Sequence, residues 1–406
     1  MYQKLPLLFG AVAAALDTIH GFSNVASSLQ CKNMHRTALH AETTTTAATG
    51  STAELESSVS QLKKVLEREY ISFFDPMERD YYSPTVTFDD PMTSLAGVDA
   101  YQSNVDMLSS RTLMGKVLFK DAGIALHSVT GGDVNPTDGS ISNIITRWTL
   151  RVTAQVLPWQ PTARFSGISV YEVKSGGPKG VQVTHQTDYW DSINIKEGGS
   201  YATVDKSIAV NDFLNQLKPN NFAAPAAGLE LPYQLLRRGD GYEVRRYPSY
   251  TAAQIQYSRR DEGYDALGSI SKGMSPLAPA ILEVDPDSTK KMTWPLEYAL
   301  PGQTPPPPVQ VEQKIQEEAQ WEKFWNAKAM TVPSQVVAVG RFSDASVEPV
   351  VRKADRELRQ CCERDGLKMS PKTDGVVKFA QYDAIYSMGE RRGEVWIELE
   401  DGGHPW

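Results

Sequence analysis

The sequence predicts an α+β protein of two domains: a cone-like curved antiparallel sheet with helices, then a distorted β-barrel flanked by two helices. Three observations carry that prediction. A chain of 406 residues is longer than one ordinary domain. An initial helical pattern gives way to a long series of strand patterns, which suits a sheet wrapped against helices. A Pro, Ala and Asn stretch from Pro219 to Gly228 then interrupts the patterning near the middle of the chain.

Hydrophobic residues make up 41% and charged residues 22%, which allows sizeable cores and excludes a chain disordered throughout. The net charge is −8 and no long Lys/Arg run occurs, so nucleic acid is not an expected partner. Cys31, Cys361 and Cys362 cannot build a disulfide framework and lack the paired spacing of a zinc site. A reducing compartment is expected. Three of the six histidines, His20, His35 and His40, fall in the first 40 residues, so no metal centre is expected in the folded part.

Residues 1–50 read as an address and a lead-in. Lys4 precedes the apolar run Leu5–Leu16, the length of a signal-peptide core and too short to span a membrane. Gly21-Phe22-Ser23 and a basic, hydroxyl-rich segment without acids between Asp17 and Glu42 follow. The combination resembles the bipartite presequence of algae with complex plastids, implying a plastid destination; a secreted protein is the alternative. The Thr43–Thr52 run reads as an unstructured lead-in, and no transmembrane segment is expected in the mature chain.

The first domain is expected over residues 51–195. Leu55, Val59, Leu62, Leu66 and Tyr70 recur at helical spacing across Glu54–Tyr70. Val86 and Phe88 alternate with Thr85 and Thr87 in a strand that ends at the turn Asp89-Asp90-Pro91. A second short helix over Val98–Leu108 places Tyr101, Val105 and Leu108 on one face. Strand patterns follow at Lys116–Val129, Ser142–Val156, Thr162–Val173 and Val181–Trp190. These elements, with Gly97, Trp148, Leu157-Pro158-Trp159, Gly167, Tyr171 and His185–Ser192, resemble a plant and algal domain of unknown activity for which the cone fold of nuclear transport factor 2 is expected.

Residues 196–228 supply a short helix, Ser207–Leu217, and the linker. The second domain, 229–406, opens with a hairpin: Tyr233–Leu236, a Gly239-Asp240-Gly241 turn, then Tyr242–Tyr247. Further strands are expected at Thr251–Gln256, Lys291–Ala299, Val309–Glu312, Gln335–Phe342 and Glu394–Leu399. Tyr264, Leu267 and Ile270 repeat every three residues before Gly273 and predict one helix. Val347–Arg364 predicts another, faced by Val350, Val351, Ala354, Leu358 and Cys361. Leu231–Pro248, Gly263-Tyr264, Met292–Pro295, Gly340–Ser343, Tyr382 and Arg391–Val395 together resemble the SOUL haem-binding family, which pairs with a cone-type domain in plant and algal plastid members.

That resemblance implies non-covalent binding of haem or another tetrapyrrole against the first helix of the barrel. Such a site needs a flat apolar surface and cations for the propionates. Tyr264, Leu267, Ile270 and Met274, with Met292 and Trp294, are candidates for the surface; Arg259, Arg260 and Lys272 are candidates for the carboxylates. Each apolar candidate also reads as plain core of an amphipathic helix. The axial ligand is open, because His404 is the sole histidine after Gly228. Carriage or buffering is therefore expected rather than catalysis, without a redox role for Cys361 and Cys362, of which one reads as core and the other as partly exposed.

Two other classes compete. A cone can enclose a pocket for isomerase or dehydratase chemistry, with Asp89, Asp90, His185 and Asp188 as candidates and Tyr81, Trp148 and Trp190 as walls. His185 and Asp188 lie three apart on one strand and so point to opposite faces. The other class is interaction: the cone domain as a homodimer or docking module. The segment 311–330, with Trp321, Phe324 and Trp325, reads as a lid packed on its own barrel or as a partner or membrane-surface contact, the neighbouring acids Glu317, Glu318 and Glu322 arguing against an anionic membrane.

Overall fold

The structure is a computed structural model. It describes residues 52–219, 230–270, 277–298, 326–343, 348–382, 391–400, 402, 404 and 406. Two compact units divide the chain: residues up to Trp190 with Thr203–Lys218 form one, and Asp191–Ala202 with Pro219–Trp406 form the other. The expected presequence, the strand at Val309–Glu312 and nearly all of the 311–330 insertion lie outside the described residues.

In the N-terminal unit, helix α1 (Thr52–Ile71) buries Val59, Leu62, Val65, Leu66, Glu69 and Tyr70, the three-to-four spacing that predicted it. Helix α2 (Val98–Leu108) buries Val98, Tyr101 and Val105. Helix α3 (Leu113–Leu118) occupies the expected start of a strand, because the Thr112 side chain accepts a hydrogen bond from the Gly115 amide and caps a helical turn there. The strands are β1 (Tyr82–Asp89), β2 (Ser94–Ala96), β3 (Phe119–Gly131), β4 (Ile144–Ala154), β5 (Thr162–Ser175) and β6 (Val181–Trp190). They form one curled sheet in the order β2-β1-β6-β5-β4-β3. Within it β3 to β6 are the expected antiparallel meander, but β1 pairs with β6 in parallel. The two strands are far apart in the chain, so no tight hairpin forces them antiparallel. Helix α4 (Lys206–Gln216) belongs to this unit and is capped by Asp205 on the Ser207 amide.

Among the described residues the C-terminal unit is a nine-stranded half-barrel sheet with two long helices. Its strands are β7 (Gln234–Arg238), β8 (Tyr242–Tyr247), β9 (Tyr250–Gln256), β10 (Ala280–Val284), β11 (Lys290–Tyr298), β12 (Lys328–Val332), β13 (Gln335–Ser343), β14 (Val377–Gln381) and β15 (Arg392–Glu398). The helices are α5 (Arg260–Ile270), which begins before the expected Tyr264, and α6 (Glu348–Arg364). The sheet order is β12-β9-β11-β10-β14-β15-β13-β8-β7. It is two copies of a strand-strand-helix-strand-strand repeat, β8-β9-α5-β10-β11 and β12-β13-α6-β14-β15. Each repeat lends its first strand to the other: β8 pairs with β13, and β12 with β9. A Pro-Ser pair makes the first turn in both, Pro248-Ser249 and Pro333-Ser334.

The period of two along each strand separates two cores. Val336, Ala338, Val395 and Ile397 point to the helix side and pack with Ala266, Leu267, Val351, Leu358 and Cys362. Val337, Val339 and Trp396 point the other way and pack with Tyr247, Tyr250 and Ile281. In the hairpin turn, Gly239 lies under the Tyr242 ring, where an added Cβ would come within 2.2 Å of it.

One glycine of the cone sheet generates a direct test. Gly167 lies opposite Trp148 on one neighbour and Trp190 on the other. A Cβ there would sit 1.9 Å from the Tyr189 carbonyl oxygen, a backbone atom that cannot rotate away. Gly167→Ala is expected to destabilise the N-terminal unit by roughly 2 kcal/mol or more, read as a lowered first transition in thermal unfolding; an unchanged melting profile would refute the crowding.

Candidate functional site

The face of α5 is held down by its own sequence. Gly263 lets the Met292 side chain approach, with a virtual Cβ only 3.0 Å from Met292 Cε, and Ala266 and Leu267 complete the contact. Met292 and Leu267 are therefore core beneath the helix, and a ligand meeting them would have to part helix from sheet. Tyr264 and Trp294 are half-buried and lie edge to face, ring centroids 5.7 Å apart. The Tyr264 hydroxyl donates to Gln381 Oε1 at 3.0 Å. Trp294 Nε1 is buried without a hydrogen-bond partner among the described residues, a donor left for an acceptor from outside. Arg259 is exposed and pairs with Asp261 at 2.8 Å, while Arg260 is half-buried. Lys272, Met274 and the side chain of Ile270 lie outside the described residues. The structure thus brings together Tyr264 and Trp294, with the two arginines at the start of the same helix.

Other donors in this unit are committed elsewhere. Cys362 is fully buried and burial pushes its thiol up to about 12; Cys361 is partly exposed. His404 stacks on Trp406, which also carries the Arg237 guanidinium 5.1 Å over its ring. Among the described residues no group of His, Cys, Asp and Glu is arranged to hold a metal ion, and no helix is long and apolar enough to cross a membrane.

The N-terminal unit holds a partly open cavity of about 170 Å³. Its walls come from several elements: Tyr70 on α1 and Phe73 and Phe74 after it, Phe88 on β1, Tyr101 and Val105 on α2, Trp148 and Leu150 on β4, Phe165 on β5 and Phe213 on α4. Two acids, Asp90 and Asp188, face it, with Trp190 beside them. Of the four polar candidates, the structure places these two in the cavity and leaves Asp89 and His185 out. His185 is pinned between Thr87 at 2.6 Å and Thr187 at 2.8 Å, with Asp89 at 3.9 Å. Of the walls expected from sequence, Trp148 and Trp190 line the cavity; Tyr81 is buried outside it.

A hydrogen-bonded floor supports Asp188. Gln186 Nε2 donates to Asp188 Oδ1 at 2.8 Å, and Gln186 Oε1 accepts from the Tyr101 hydroxyl at 2.7 Å. Ser169 also bonds the carboxyl, and its Oγ accepts from Trp148 Nε1 at 2.8 Å and meets the Tyr70 hydroxyl at 3.1 Å. Burial nevertheless dominates and raises Asp188 to about 7. Asp90 is raised to about 6, again by burial, although the amides of Met92 and Thr93 donate to its Oδ1. Glu69, buried behind Tyr70 and bonded by the Tyr82 hydroxyl at 2.7 Å, is also raised to about 6 by burial. The sequence pattern missed Phe73, Phe74 and Phe213 as cavity residues, because they lie in turns and a helix remote in sequence from the two acids.

Comparison with known proteins agrees with this division of the chain. Residues 229–398 match the SOUL heme-binding protein family. Residues 60–179 match a family described as an uncharacterized conserved protein, DUF2358. The chain is also similar to solved structures. An NTF2-like superfamily protein from Salmonella enterica serovar Typhimurium shares 12% identity over 34% of this chain and 93% of that one, with a TM-score of 0.25. An NTF-2 like protein of unknown function from Burkholderia xenovorans shares 13% over 33% and 84%, with a TM-score of 0.21. A hydrolase from Listeria innocua shares 9% over 39% and 91%, with a TM-score of 0.28. Likeness at this level says nothing of activity. No curated protein matches the chain. The SOUL match thus covers α5 and its aromatic pair, whereas the uncharacterized match covers most of the cavity walls and stops short of Gln186, Asp188, Trp190 and Phe213.

The raised acids fix a pH dependence of stability. An acid whose folded pKa lies above its unfolded value binds a proton more tightly when folded, so its contribution is favourable at low pH and is lost as pH rises. For Asp188 the loss runs from its ordinary 3.8 up to about 7, at most on the order of 4 kcal/mol. The melting temperature of the N-terminal unit is expected to fall between pH 5 and pH 8, and Asp188→Asn to flatten that slope; a slope unchanged in the variant would refute the assignment.

Proposed function

We propose that the SOUL domain binds haem or a related tetrapyrrole non-covalently, and that the protein carries or buffers the ligand rather than transforming it. The observation that carries this reading is the match of residues 229–398 to a haem-binding family. Tyr264 and Trp294 would meet the edge of the macrocycle, the unpartnered Trp294 Nε1 would donate to a carboxylate, and Arg259 and Arg260 would supply positive charge. Tyr264 is already bonded to Gln381, and His404 is stacked on Trp406, so recognition would rest on the ring and its carboxylates. The bound group supplies its own iron chemistry; the chain's part is to bind and orient it.

The protein would act in the plastid, to which residues 1–50 would direct it. A fluorescent protein fused behind those residues is expected to accumulate in the plastid; secretion of the fusion would remove that part of the reading.

The binding itself is tested by titrating the protein with haem and with metal-free protoporphyrin, followed by Soret absorbance and tryptophan quenching. The two ligands are expected to bind within about tenfold of each other, since a single ligand bond to iron would be worth more than the 1.4 kcal/mol that tenfold represents. Trp294→Phe keeps the ring and removes the N–H, and should weaken both several-fold, the worth of about one hydrogen bond. Binding of neither ligand would refute the proposal.

A further inference from the structure

The cavity of the N-terminal unit has a composition that selects for charge as well as size. At about 170 Å³ it has room for one six-membered ring and a short side chain; an apolar cavity of roughly 150 Å³ admits benzene. Phe74, Phe88, Trp148, Leu150, Phe165 and Trp190 give it aromatic and aliphatic walls. Its ionisable carboxyls are Asp90 and Asp188, and none of the lining residues is Lys, Arg or His. Both carboxyls are enclosed by protein yet keep accessible surface, as groups that face an internal space do.

The donors around Asp188 are already spent. Gln186 Nε2 and Ser169 serve Asp188, Tyr101 serves Gln186, and Trp148 Nε1 serves Ser169. What the cavity offers an occupant at Asp188 is acceptor oxygen with no cation among the lining residues, beneath aromatic faces that attract one. Once both acids are ionised, a carboxylate ligand would add a third negative charge where no lining residue carries a positive one. Part of the wall is also under strain: Phe73 and Phe74 both have left-handed backbone, φ 54° and 58°, and Arg111 holds the Phe73 carbonyl at 2.9 Å. Two consecutive aromatics in that conformation are uncommon and cluster at ligand sites.

We propose that this cavity binds a single-ring aromatic molecule bearing one protonated amine, with the ring between the aromatic walls and the ammonium group on Asp188. Asp90 supplies the second negative charge. The site is separate from the tetrapyrrole reading, which concerns the other unit.

Calorimetric titration of the full chain with phenethylamine, phenethyl alcohol and phenylacetate tests this. Phenethylamine is expected to bind at least about tenfold more tightly than the alcohol, the value of one charge-assisted bond, and phenylacetate not detectably. Asp188→Asn should lower the affinity for the amine by about tenfold while leaving that for the alcohol within about threefold. Retained alcohol binding reports an intact cavity, so loss through misfolding is recognised. Val105→Phe, which fills the cavity from α2, should abolish both, with circular dichroism unchanged. Equal binding of phenylacetate and phenethylamine, an Asp188→Asn variant that keeps its affinity for the amine, or no binding of any of the three by the unaltered protein would each overturn the proposal.

Discussion

Glu394 is 2% exposed on β15, and its burial is tolerable only because Arg245, equally buried on β8, meets it with two hydrogen bonds of 2.9 and 3.1 Å. Neither charge could remain there alone, since an unpaired buried ion costs several kcal/mol. The pair dictates its surroundings. The hydroxyl of Tyr382 and the indole of Trp396 donate to Glu394, Glu243 takes the remaining side of Arg245, and the Tyr233 ring lies 4.3 Å under the guanidinium. A half-barrel face that would otherwise be uniformly apolar therefore has one register in which every charge is met. The pair spans β8 and β15, which do not touch directly but share β13 between them.

The same obligation acts differently in the N-terminal unit. There the hydroxyls of Tyr70, Tyr171 and Tyr101, with Ser169, Thr146 and Gln186, satisfy one another. No guanidinium is supplied to Asp188, so its burial appears as a raised affinity for protons. The two units thus answer one physical demand in opposite ways. The half-barrel neutralises its buried acid internally, while the cone leaves its acid facing space.

The helices and long strands were legible in the sequence because their burial is periodic: α1, α6 and β6 fall within a few residues of the patterns that predict them. β10 and β14 were not, and they are the paired strands at the middle of the nine. Each is five residues long and buried on both faces, so it has no alternation to read. For the site, apolar spacing along α5 could not separate core from surface. Leu267 and Tyr264 are three apart, yet one is sealed beneath the helix and the other reaches Trp294 and Gln381. In the cone, strand parity correctly set Asp188 apart from His185. The cavity itself depends on Phe74 and Phe213, more than a hundred positions apart, which no local pattern connects.

The reciprocal loan of strands between the two repeats of the half-barrel bears on how the chain is made. Without β15 the sheet falls into two pieces, β12-β9-β11-β10-β14 and β13-β8-β7, with no backbone pairing between them. Glu394 is also missing until then, and Arg245 waits without its partner. A ribosome that has released residue 381 has therefore delivered eight of the unit's nine described strands and none of its closure, whereas the described strands of the cone are complete by residue 190. Of the described strands the last to be made is the keystone, and nascent chains of this protein carry a finished first unit ahead of an open second one.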